Sequence, residues 1–155
     1  MIGQSNLIAK GFELRVIDTH THAGLNWFEP IEMLIRQMEL NSVSNAVLIQ
    51  HGLPEYGNYD HSYLFDCISK YPGKFNVVGI VDPKSNDAVG DVERLKYEGA
   101  VGIRLNMKTH SLYKEPLALW SKIGELGMIV SMMGTVDDFG SEEFMSIVDC
   151  YQDIP

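Results

Sequence analysis

Short apolar runs alternate along the chain with stretches whose apolar residues recur at three- and four-residue steps. The runs predict strands over Arg15–Ala23, Asn45–His51, Asn76–Asp82, Ala100–Asn106 and Met128–Met133. Between them, Ile31, Leu34, Ile35 and Met38 form one helical stripe, with Pro30 suited to its first turn. Tyr63, Leu64, Cys67, Ile68 and Tyr71 form a second, with Asp60 as its expected cap. Val89, Val92 and Leu95 form a third that Gly99 closes, and Leu119, Trp120 and Ile123 a fourth that Gly127 closes. Phe144, Ile147, Val148 and Tyr151 form a fifth, entered through Ser141 with Glu142 and Glu143 in its first turn. These stripes are read as core faces.

The order is therefore strand then helix, five times over. Such alternation implies right-handed crossovers and a parallel sheet. Strand centres near Ile17, Val47, Val78, Ile103 and Ile129 recur every 25–31 residues. Eight such units would give the roughly 250 residues of a (β/α)8 barrel. Five units also suit an open doubly wound sheet, so periodicity leaves both architectures open. No linker or low-complexity tract divides residues 1–155, which read as one domain.

Composition narrows the function. Of 155 residues, 45% are hydrophobic, enough for a core, and the formal net charge is −9. That balance disfavours nucleic acid, whose phosphates call for Lys and Arg, and also disfavours anionic membrane surfaces. No apolar run approaches the ~20 residues of a membrane span, and the first residues carry no secretory pattern, so a cytoplasmic protein is expected. Cys67 and Cys150 both fall on predicted helices and are expected to be buried free thiols.

Candidate chemistry begins at VIDTHTHA, residues 16–23. Alternate strand residues share a face, so Asp18, His20 and His22 point one way at the carboxyl end of the first strand. Barrel active sites gather at that end, and imidazoles at i and i+2 can reach one metal. In GAVGIRLN, Val101, Ile103 and Leu105 share one face, and Gly102, Arg104 and Asn106 the other. If the apolar face meets the helices, Arg104 points into the barrel. An inward guanidinium needs a partner, either a substrate carboxylate or an internal acid. Gln50 and His51 end the second strand at the same rim. His51 is a candidate ligand, substrate contact or loop residue. Asp82-Pro83 is read as a turn, and His61, at a helix start, as solvent-facing. His110 is placed in a polar loop within reach of the site. Tyr56, Tyr59 and Tyr63 are candidates for a pocket wall. The fifth strand, MIVSMMG, carries no histidine or acid, and no phosphate loop or nucleophile elbow occurs.

Three stretches together resemble the amidohydrolase-related (amidohydrolase 2) family. VIDTHTHA resembles its first strand. VLIQHG through YDHSYLFDCISKYPGKFNVVGIVDP resembles its second helix and third strand, and EGAVGIRLN its fourth strand. The nearest likeness is to the lactonase-like members, which hydrolyse sugar lactones or pyrone dicarboxylates, with decarboxylases a further relation. The resemblance implies part of a (β/α)8 TIM barrel, about five of eight units. It implies a divalent metal, zinc or manganese, with His20 and His22 as first ligands. It also implies a small anionic substrate, a cyclic ester or amide, held by Arg104 with Gln50 and His51 nearby. Met132 and Met133 stand where metal-holding members place a histidine. The sixth-strand histidine and eighth-strand aspartate of the family would lie beyond Pro155, so the general base is expected there. The competing expectation is a non-catalytic half-barrel that self-associates through open sheet edges.

Overall fold

A computed structural model describes residues 15–53, 57–110 and 112–155. Tyr56 lies outside the described residues. The strands are β1 (Val16–Thr21), β2 (Val43–Ile49), β3 (Phe75–Ile80), β4 (Ala100–Asn106) and β5 (Ile129–Met133). The helices are α1 (Ile31–Leu40), α2 (Ser62–Lys70), α3 (Ala88–Glu98), α4 (Met107–His110), α5 (Pro116–Glu125), α6 (Val136–Phe139) and α7 (Glu142–Cys150).

All strand pairs are parallel and follow chain order, β1-β2-β3-β4-β5. A doubly wound sheet would reverse its order at a switch point. Here crossovers that always step the same way put the helices on one side and leave the other as a barrel interior. The fold is thus a half-barrel of five β/α units, with β1 and β5 at its edges.

Two apolar cores join sheet to helices. Ala46, Leu48, Phe75 and Val77 meet Ile31 and Met38 of α1 and Leu64 and Cys67 of α2. Ile103 and Leu105 meet Val92, Leu95, Leu119, Trp120 and Ile123, with Ile147 of α7. Phe65 touches both. The alternation of β4 resolves as expected: Ile103 and Leu105 go to the helices, and Arg104 goes to the interior.

The helix ends match their sequence signals. Asp87 caps α3 by accepting from Gly90 N, and Gly99 closes it at φ 111°. Ser141 caps α7 by accepting from Phe144 N. Asp60 works one position early: His61 holds the cap position, while Asp60 Oδ1 accepts from Ser62 N at 2.9 Å. The Asp82 turn forms, with Ser85 N on Asp82 O. Two expectations fail here. Cys67 is buried but Cys150 is exposed, because no described element covers the outer side of α7. His110 closes the short helix α4 instead of lying in a loop. No helix among the described residues is long and apolar enough to cross a membrane.

Candidate functional site

The strands stop just short of the chemistry. β1 ends at Thr21 and β2 at Ile49, so His22, Gln50 and His51 stand on the loops at the carboxyl mouth of the sheet. Thr21 helps fix that mouth: its hydroxyl donates to Val47 O at 2.9 Å.

His20 and His22 face each other edge-on, with ring centroids 5.1 Å apart. His22 is held from two further sides. Its Nδ1 lies 2.8 Å from Ile49 O, and Phe28 stacks on its ring at 4.6 Å. A carbonyl can only accept, so the ring proton sits on Nδ1 and Nε2 keeps its lone pair. Burial holds His22 below the ordinary imidazole range. The Ile49 carbonyl partly offsets this, while His20, Arg104 and His51 lower it further. His51 lies 6.4 Å from His22 between ring centroids.

Arg104 reaches the interior from β4 and is only 7% exposed. Its Nη2 contacts Met133 Sδ at 2.7 Å, and its Nη1 is buried without a hydrogen-bond partner. Among the described residues no carboxylate pairs with it, and burial pushes its pKa below the ordinary value. A cavity of about 130 Å3 opens beside it, lined by His51, Tyr59, Asn106, Tyr113 and Met133 among others. Burial and the nearby Asp82 carboxylate raise the Tyr59 phenol.

The predicted residues thus divide. His20, His22, His51 and Arg104 gather at one mouth. Gln50 is turned to the loop, donating Nε2 to Asp60 O at 2.8 Å, and lines a separate cavity of about 250 Å3 with Phe28 and Tyr63. His110 is directed away, accepting at Nε2 from Trp120 Nε1 at 3.0 Å. His61 is a correction: it is 5% exposed, and Ile80 N donates to its Nε2 at 3.0 Å. Burial pushes its pKa down to about 4. Phe28 and Tyr113 carry no signal in the sequence pattern, and Met133 is marked there only as standing where a histidine would be. Met133 was legible in retrospect, because it ends the strand beside Arg104.

A zinc-type site takes three or four protein ligands. His22, with a free Nε2 and an oriented ring, suits one, and His20 a second. No group of three His, Cys, Asp or Glu side chains able to hold an ion occurs among the described residues. The pair is two donors of a shell and does not by itself fit a resident metal.

No family model matches the chain, and no curated protein does. Solved structures do share its fold. A putative 2-pyrone-4,6-dicarboxylic acid hydrolase from Pseudomonas putida is 21% identical, with TM-score 0.66 over 90% of this chain and 54% of that one. An uncharacterized TIM-barrel protein from Bordetella bronchiseptica is 16% identical, with TM-score 0.71 over 91% and 65%. The 2,6-dihydroxybenzoate decarboxylase from Rhizobium is 12% identical, with TM-score 0.61 over 88% and 54%. The chain therefore spans about half to two thirds of the length of these structures and carries their barrel fold over that span.

Proposed function

We propose that this chain forms the anion-binding part of an amidohydrolase-type active site, for a small cyclic ester or amide that carries a carboxylate. The observation that carries this is the Arg104 guanidinium, buried at the mouth with one nitrogen unpaired and no described acid beside it. A buried cation without an internal partner is costly, and a bidentate carboxylate supplies both charge and geometry. The structures of similar fold bear names of enzymes acting on a pyrone dicarboxylic acid and a dihydroxybenzoate, and both substrates are carboxylated rings.

In this reading Arg104 fixes the carboxylate and His51 and Tyr59 border the adjoining ring. His22, kept neutral, presents Nε2 to the reacting end. His20 and His22 would take two positions of a zinc or manganese ion only with a further ligand from outside the described set. No described residue is assigned as general base.

The test is calorimetric titration with 2-pyrone-4,6-dicarboxylate and with 2,6-dihydroxybenzoate. Arg104→Gln is expected to weaken dicarboxylate binding roughly 10- to 100-fold, the range of a lost charge-assisted pair. Arg104→Lys should recover only part of it, since an ammonium is not bidentate. Equal affinity in wild type and Arg104→Gln would sink the proposal. The 155-residue chain should bind without opening the ring; sustained hydrolysis by it would show that the chain itself contains the base. A decarboxylase reading shares the Arg104 contact, and release of carbon dioxide in place of a ring-opened acid would select it.

A further inference from the structure

Behind the sheet, between α4, α5 and α7, lies a cavity of about 620 Å3. This is the volume of a small-molecule site, and its character is that of one: apolar walls with few polar groups. Leu117, Ile147 and Tyr151 line it, and the polar exceptions include His110 and Glu143.

His110 is 3% exposed. Its Nε2 accepts from the Trp120 indole, which can only donate, so the ring is neutral with its proton on Nδ1. That Nδ1–H is buried and has no hydrogen-bond partner. Glu143 Oε1 stands 3.6 Å away, outside hydrogen-bond range, on a side chain that is 63% exposed. Buried donors are nearly always paired, so an unpaired one in a cavity wall marks a place for an acceptor. Glu143 is on the surface and free to swing aside.

We infer that this cavity is an accessory binding site for a small, uncharged amphipathic molecule. An aromatic or branched body would rest on Leu117, Ile147 and Tyr151, and one oxygen would accept from His110 Nδ1. Glu143 stands beside Nδ1 and Lys114 also lines the cavity, so its two charged groups are of opposite sign and favour neither an anion nor a cation over a neutral ligand. The apolar walls oppose a hydrated cation.

Phenol and toluene are matched probes, alike in shape and differing in the oxygen. The readout is the indole N–H resonance of Trp120, which rests on the same imidazole, with the exposed Trp27 indole as internal reference. Phenol should shift the Trp120 signal saturably and leave Trp27 unmoved. Toluene should bind at least tenfold more weakly. Ser146→Phe, on the exposed side of α7 at the cavity rim, should reduce phenol binding at least tenfold without unfolding the chain. Equal response to the two probes would overturn the His110 contact. Absence of a saturable shift, or an undiminished one in Ser146→Phe, would overturn the site.

Discussion

His61 shows how one side chain can be misread and still carry a measurable consequence. A histidine at a helix start reads as solvent-facing, yet this one is sealed against β3 where Ile80 N donates to it. The signal was in a different part of the sequence. Gly79 sits inside β3, and a Cβ there would lie 3.3 Å from His61 Nε2 and 3.0 Å from Leu95 Cδ1. A glycine within a strand often marks such close approach. The burial depresses the folded-state pKa from 6.5 to about 4. Between those values the unfolded chain binds a proton that the folded chain refuses, so stability falls as pH drops through this window and is fully present above it. The loss at the bottom of the window is about 3 kcal/mol. Urea unfolding midpoints at pH 7.5 and 4.5 should therefore differ more in wild type than in His61→Gln, which keeps an acceptor but does not titrate. Equal pH dependence in the two proteins would refute this role.

Arg104 was legible at the same scale for the opposite reason. Strand parity alone puts it opposite Ile103 and Leu105, and the structure keeps that parity. His20 and His22 were legible as neighbours, but parity covers only His20, since His22 stands past the end of β1 and is placed by Ile49 O and Phe28. The divergence of Gln50 and His110 was not legible, because it depends on loop partners far along the chain, Asp60 and Trp120.

Elements were more readable than their ends. All five strands and the five longer helices stand where apolar periodicity puts them, and β4 matches to the residue. Pattern missed α4 and α6, each of four residues, too short to show a stripe. α6 is held instead by local hydrogen bonds, Thr135 and Asp138 capping one another. α7 depends likewise on its cap, since only Ile147 of its stripe is fully buried and Val148 is 40% exposed. Ser141→Ala, which removes the acceptor for Phe144 N, is expected to cost about 1 kcal/mol in chemical denaturation. Between elements the tightest constraint is Gly102. A Cβ there would run into Ile129 Cγ1 and stand 2.9 Å from Ile129 O, so β4 and β5 meet only because that side chain is absent. Gly102→Ala should cost about 1–3 kcal/mol, as overpacking does. An unchanged denaturation midpoint would show that β5 can shift to make room.

At the scale of the molecule, a parallel sheet of five strands is stable only while its edges are managed. The two edges are managed differently. On β5, the Val130 amide donates to Pro155 O at 3.0 Å, so the last residue lies where a following strand would pair. On β1, no described residue pairs with the outer side, and the strand exposes Val16 at 44% and Ile17 at 51%. Buried parallel strands are normally covered on both faces, so β1 carries the composition of an inner strand in the position of an outer one. Unpaired strand groups beside exposed branched side chains are a template for another strand. The 155-residue chain is therefore expected to self-associate through β1, with mass by light scattering rising above 17.4 kDa as concentration increases. Ile17→Lys puts a charge on that edge and removes its apolar contact. It should return the mass toward one chain while leaving dicarboxylate binding intact, because Arg104 lies three strands away. A wild-type mass that stays at one chain across the concentration range would mean that the β1 edge is already protected.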